Sequence, residues 1–393
     1  MSLESQVLDL TNEVRGFTNT VMQQIPDIRA QQNSFINNWG IDGYTVLSVG
    51  AGKQFASIQA AYDSLLGKTL KQDVMIKVDD GTYNLSVLNL YAHPYSHRIN
   101  IEGNSTNPAN CVLNFIPTAG LSHGVLFDNV RNIGFSGFKL VGQTNVGTNF
   151  TYRAMRLGGN SIVYVKDQSL MIDGVYNGIE VAQCSILYAR KTRITNFGGY
   201  GVVLDGASRA GMEDSVVSGR GATAVTTNTS GAQTKGMGFY AVDNSCLWLG
   251  SATVIDNVSK GIFANNNSYV YGSNTAISNV GLGVYAEMGA ALILSAAKIV
   301  TAAEKGVFAT LRAVLYLDGI KIESAPIGVE SSLGATVNAN SGYAKNCTTG
   351  YIAGSFGQID AYNTSANSTG TTTKYSPATS DALGNGNGMV RFS

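Results

Sequence analysis

Three carboxylates recur at matching points of a repeated pattern, the arrangement that an acid pair acting on a glycosidic bond would need. Asp205 follows Gly201 by four residues, Asp243 follows Gly238 by five, and Glu287 follows Gly283 by four. The glycines belong to a series, Gly238, Gly261, Gly283, Gly306, Gly328 and Gly350, with intervals of 23, 22, 23, 22 and 22 residues. If each interval is one coil of a stack, neighbouring coils lie about 4.8 Å apart. Asp205 and Asp243 then come within reach of each other, and Glu287 stands about 10 Å from Asp243, two coils on. Hydrolysis of a glycosidic bond uses two carboxyl groups separated by roughly 5 to 9.5 Å. Asp205, Asp243 and Glu287 are therefore the catalytic candidates, although acidic residues at turns also serve simply as solvated side chains.

Binding without cleavage asks for less. Aromatic rings stacked along a face can hold sugar rings, and Tyr188, Tyr269, Tyr271, Tyr285 and Tyr316 recur in apolar runs of the repeat. Some of them must be core, and alternation alone does not say which face each takes. The interval from Gly201 to Gly238 is 37 residues, so one coil carries about 15 extra, and insertions in a solenoid map to loops on one face, often the binding face. That insertion, Ser218 to Gln233, supplies Arg220 as the candidate cation against a substrate.

Other chemistries find no support. His93 and His97 share a short loop, but no third ligand type is near them, so no metal site is expected. The Gly50-Ala-Gly-Lys53 cluster lacks the spacing and the following hydroxyl of a phosphate loop. Cys111, Cys184, Cys246 and Cys347 have neither metal nor redox spacing and read as free, buried thiols. Lys plus Arg equals Asp plus Glu at 26 each, so no global field favours nucleic acid or an anionic membrane. No apolar run is long enough to span a bilayer, the N-terminus lacks the pattern of a secretory signal, and no cofactor is implied.

The elements that must position these residues follow from the repeat. Each unit holds three short apolar runs, as in Gly261-Ile-Phe-Ala, Tyr269-Val-Tyr and Thr275-Ala-Ile. Three strands per 22 or 23 residues make the coil of a right-handed parallel β-helix, an all-β solenoid in which no unit buries its apolar side alone. Asn257, Asn279 and Asn346 each fall four residues before a coil glycine and suit a left-handed turn. Ahead of the stack, Val7, Val14, Val21, Ile28 and Phe35 take heptad position a, and Leu3, Leu10, Phe17, Gln24 and Gln31 take position d. This is a parallel coiled-coil seam that needs other chains to cover it, and Phe17 with the two Gln at d favours three. Pro26 is expected to break the helix near Gln24.

Phe55-Ala-Ser-Ile-Gln-Ala-Ala, Val74-Met-Ile-Lys-Val and Gly81-Thr-Tyr resemble the opening of pectin-lyase-like β-helix proteins, in which a helix plugs the N-terminal end of the stack. The Asp-Phe-Ile/Val-Phe-Gly and Gly-Arg-Pro-Trp blocks of the pectin methylesterases are absent, as are Asn-Thr-Asp and Gly-His-Gly of the polygalacturonases and Trp-Ile-Asp-His of the pectate lyases. With the N-terminal heptads and the polar, glycine-studded C-terminus, the chain resembles a bacteriophage tailspike or receptor-binding tail protein. The resemblance implies a homotrimer carried on a virion by a phage tail or baseplate protein, binding a glycan of the bacterial cell surface. It divides the chain into an attachment helix (1–40), a cap (41–83), the β-helix (84–360) and a closing segment (361–393). A polysaccharide depolymerase on the same scaffold, hydrolase or lyase, and a bacterial carbohydrate-binding adhesin are the alternative readings.

Overall fold

The computed structural model describes residues 2–116, 123–142, 153–220, 226–227, 233–234, 236–364, 369–376 and 388–392. The body is a right-handed parallel β-helix whose coils each contribute strands to three columns. The first column is a sheet of 14 strands, from Thr45–Val49 to Met389–Arg391. The second starts at Gly81–Leu85 and the third at Leu88–Tyr91. These two merge into one sheet of 20 strands because Val254–Ala264, Ala276–Ala286 and Lys298–Ala309 run unbroken through the turn between them.

Alternation along each strand fixes which side chains point inward. In the third column Ile179, Val202, Phe239, Ile262, Val284, Val307 and Val329 are fully buried, and the residues between them face out. The coil glycines explain the period. A Cβ at Gly261 would lie 2.6 Å from the Gly283 carbonyl oxygen, and one at Gly283 2.5 Å from that of Gly306. Successive coils approach too closely there for any side chain. Where the chain turns from the first column to the second or third to the first, buried hydroxyls bond from coil to coil: Ser161 N donates to Ser185 Oγ at 3.1 Å, and Thr192 N to Ser215 Oγ at 3.1 Å. The turn between second and third columns carries the expected left-handed asparagines, with φ of 55° at Asn257, 52° at Asn279 and 54° at Asn346. The amides of Asn257 and Asn279 donate to Asp256.

Helix α2 (Ile58–Asp63) caps the N-terminal end. Ser57 Oγ accepts from Ala60 N at 3.1 Å, and Ile58, Ala61 and Tyr62 are buried. His93 fixes it from below, its Nε2 2.8 Å from Leu65 O and its Nδ1 accepting from Tyr95 N at 3.1 Å.

Two expectations change. Helix α1 (Leu3–Trp39) continues through Pro26; the ring costs the bond to Met22 O, but Met22 is exposed and water can take up that carbonyl. The cysteines are all free, yet Cys184 is exposed and Cys246 only half-buried, since both fall in or beside outward turns of the first column. Lys53 pairs with Asp79 at 3.2 Å. The side chains of Gln31 and Phe35, the loop 143–152, most of the insertion after Arg220 and much of 361–393 lie outside the described residues; Met389–Arg391 nonetheless pairs with Gln358–Asp360 as a first-column strand. Among the described residues no helix is long and apolar enough to cross a membrane.

Candidate functional site

Two rows of aromatic residues run along the solenoid on different columns. The first lies on the outer face of the first column. In register from coil to coil it reads Tyr164, Tyr188, Gly211, Trp248, Tyr271, Ile293 and Tyr316. The five aromatic side chains are between 37% and 53% exposed. Tyr164 and Tyr188 stack at 4.9 Å. The parallel outward row beside them is Ile162, Ile186, Arg209, Cys246, Tyr269, Ala291 and Val314. Across these seven coils Arg209 is the single charged side chain of the two rows. In register, the aromatic row continues through Gly134 and Asn100 at one end and through Asn338, Asp360 and Arg391 at the other.

The second row lies on the third column. Tyr200, Tyr240, Phe263, Tyr285 and Phe308 form a continuous stack with centroid spacings of 5.7, 4.8, 4.7 and 5.3 Å. Here each ring covers its neighbour, and Phe263 is only 8% exposed. Lys260 and Lys305 lie against the rings. Burial raises the pKa of the Tyr285 hydroxyl, reinforced by its hydrogen bond to Glu287. Burial likewise raises the Tyr200 and Tyr240 hydroxyls and lowers the Lys260 ammonium, against the pull of Glu287 and Glu304.

At the head of this stack the surface sinks into a recess of about 330 Å³, lined by Arg153, Asn177, Glu180, Tyr200, Asp205, Tyr240 and Asp243 among others. Glu180 is held between Arg153 and Arg156, the latter with Nε 3.2 Å from Glu180 Oε1. Burial lowers the pKa of Arg153, and the neighbouring Arg156 adds to it. The same two cations, after burial, hold His123 below its usual range. Asp243 takes the left-handed conformation, with φ of 54°, and accepts from the Asn266 amide.

The structure thus brings Asp205 and Asp243 together and leaves Glu287 outside the recess, two coils from Asp243 and capped by Tyr285. Tyr188, Tyr269 and Tyr271 lie on the first column, away from the carboxylates, while Tyr285 is inside the third-column stack with both ring faces covered. Arg220 lines a separate recess of about 260 Å³ on the turn between second and third columns, with Asn257, Asn279 and Glu304, and its Nε donates to Asn196 O at 2.8 Å.

Glu180, Arg153, Arg156, Trp248 and Tyr240 escaped the reading by residue type, yet most were within reach of the period. Tyr188, Trp248, Tyr271 and Tyr316 each stand ten residues after a coil glycine, and Glu180, Tyr240, Phe263, Tyr285 and Phe308 each stand two after one. The clamp on Glu180 had no such signal, because Arg153 precedes the regular glycine series.

No protein-family model and no curated protein sequence matches the chain. Solved structures with a similar fold include the catalytic unit of a thermostable GH87 α-1,3-glucanase from Streptomyces thermodiastaticus, with 12% identity, a TM-score of 0.45, and coverage of 75% of this chain and 62% of the glucanase unit. The A-module of an Azotobacter vinelandii mannuronan C-5 epimerase matches with 14% identity and a TM-score of 0.37, over 81% of this chain and 92% of its own. Tailspike protein 3 of bacteriophage CBA120 matches with 11% identity and a TM-score of 0.20, over 76% of this chain and 54% of its own. The chain spans less than two thirds of the glucanase unit, and the likeness lies in the coiled scaffold alone.

Proposed function

We propose that this chain is a receptor-binding protein of the phage tailspike kind, which holds a polysaccharide of the bacterial surface along the first column. The observation that carries the reading is the exposed aromatic row from Tyr164 to Tyr316, seven coils long and almost free of charge. Tyr and Trp combine apolar faces with a polar tip, which suits a sugar ring, apolar on its C–H face and hydroxylated at its edge. An apolar stretch of this length on one face is the kind that marks an interaction surface rather than scattered exposure. The helix supports the remainder: Leu3, Val7, Leu10, Val14, Phe17 and Val21 are 37% to 77% exposed in the single chain. Three parallel copies would cover that seam and present three aromatic rows at once, raising avidity for a repeating polymer.

Trp248 makes the test direct, because it is one of two tryptophans in the chain. In a Trp39→Phe background, titration with purified capsule or O-chain polysaccharide should change Trp248 fluorescence, and Trp248→Ala with Tyr271→Ala should abolish binding. Binding that survives both substitutions would remove the row from the account.

A second reading, cleavage of the polysaccharide, is favoured by the recess that gathers Asp205, Asp243 and Glu180. It predicts release of reducing ends that Asp205→Asn and Asp243→Asn abolish. Unsaturated sugars in place of plain reducing ends would identify a lyase, and no release would leave binding alone.

A further inference from the structure

The turn between the second and third columns carries an asparagine of positive φ at Asn196, Asn257 and Asn279, but the coil between the first two has none. There Thr195 pairs with Ser218 and Phe197 with Gly219, and Asn196 bulges out between them. Arg220 stands at that break. It is half-buried and lines the recess of about 260 Å³. Gly236 lines the same recess, and the 15 residues between the two, 221–235, are the extra length of that coil. An insertion in a solenoid often marks a binding face, and here the repeat is interrupted at the rim of the recess.

The Arg220 guanidinium is only partly used. Its Nε donates to Asn196 O at 2.8 Å, its one hydrogen bond among the described residues. Nη2 is buried without an acceptor, and among the described residues no carboxylate pairs with the group. Burial alone lowers its pKa, with no neighbouring acid to hold it up. An unpaired charged donor taken out of water is costly, which favours any ligand that brings acceptors. The acids around the recess are engaged elsewhere. Asp256 accepts from the Asn257 and Asn279 amides and from Ser278 Oγ at 2.7 Å. Asp173 accepts from Thr195 and Asn196 and pairs with Lys139 at 3.0 Å. Glu304 reaches back over Gly281, its Oε1 3.4 Å from where a Cβ there would stand, and its charge favours that of Lys260. Gly281 is two coils, about 10 Å, from the coil of Arg220.

We propose that this recess binds the carboxylate of an acidic sugar, with the Arg220 guanidinium as its counter-charge. A planar guanidinium takes a carboxylate in a two-bond fork, and Nη1 and Nη2 are the pair left over. The Asn257 and Asn279 nitrogens are spent on Asp256, so their amide oxygens, which have no donor among the described residues, can accept from sugar hydroxyls. Thr301 adds a hydroxyl, and Gly236, Gly281 and Ala303 keep the floor low. A recess of about 260 Å³ falls just below the usual range of small-molecule sites and suits one sugar ring rather than a polymer. The assignment does not rest on the aromatic row, which lies on another column, so either can fail while the other stands.

The experiment is a saturation-transfer NMR titration of the full chain near pH 7, where a sugar carboxyl is ionised, with methyl β-glucuronide and methyl β-glucoside. The glucuronide should bind at least about tenfold more tightly, and Arg220→Gln should bring it down to the level of the glucoside. Arg220→Lys, which keeps the charge and loses the fork, should weaken it by about threefold or more. The lysine variant also gives the answer if circular dichroism shows the glutamine variant misfolded. Arg131→Gln, at an exposed arginine on another turn, should leave it unchanged. Equal binding of the two sugars by the full chain, or a glucuronide preference that the folded Arg220 variants keep, would overturn the proposal. So would a loss at Arg131→Gln as large as at Arg220, which would mean diffuse charge rather than this recess. Acetate binding as tightly as the glucuronide would overturn the assignment to a sugar. Surface polysaccharide held by the aromatic row with no preference for the glucuronide would sink this inference alone.

Discussion

The two aromatic rows have nearly the same composition and spacing but opposite relations to solvent. On the third column the rings stack on one another from Tyr200 to Phe308, so their faces are spent within the protein. On the first column the row is interrupted by Gly211 and Ile293, and its rings keep a large share of their surface exposed. A ring already stacked on both sides adds stability and offers a ligand an edge. A ring with a face to spare adds little to stability and can take a sugar. The same residue types at the same coil spacing thus serve the scaffold on one column and recognition on the other.

This contrast can be broken by mutation. The largest effect should come from Phe263→Ala, which removes the middle of the covered stack and should cost about 3 to 5 kcal/mol in denaturant unfolding. A cost below that of Trp248→Ala would erase the distinction between the rows. Gly261→Ala should follow at about 1 to 3 kcal/mol, since its Cβ would press on the Gly283 carbonyl. Trp248→Ala should change stability by no more than about 1 kcal/mol, yet weaken polysaccharide binding by about tenfold or more, seen by titration. The smallest effect lies outside both rows. Burial keeps His93 below its ordinary value, so its neutral form is the one that caps the helix. That contribution is full above about pH 6.5 and is lost as pH falls through the depressed folded value, by less than about 1 kcal/mol. His93→Asn should flatten part of the acid-side slope of stability against pH, leaving the share from His123, whose value is also lowered.

The fold was legible in the sequence because the coil glycines obey a steric rule that recurs at every turn. The asparagines at 257, 279 and 346 were legible for a related reason, since their left-handed turns recur with the glycines. Which face each tyrosine takes was not legible by residue type, because Tyr is at home both in a covered stack and in an exposed one. Counting from the glycine separates them, with Tyr285 at the second position and Tyr271 at the tenth. Glu287 shows the limit of that counting. Its offset matches that of Asp205, but its carboxylate is taken by the hydroxyl of Tyr285, a contact that no spacing announces. Pro26 failed as a helix breaker because one missing bond on a solvated helix is a modest loss beside 37 residues of continuous helix.

The central claim is that the polysaccharide lies along the first column, and a structure of the full chain with a bound oligosaccharide from the recognised surface tests it most directly. The account predicts sugar rings lying across Tyr188, Trp248 and Tyr271, with the sugar chain running along the stack from coil to coil. An oligosaccharide seated elsewhere with that row left bare, or the row covered by a neighbouring subunit, would contradict it.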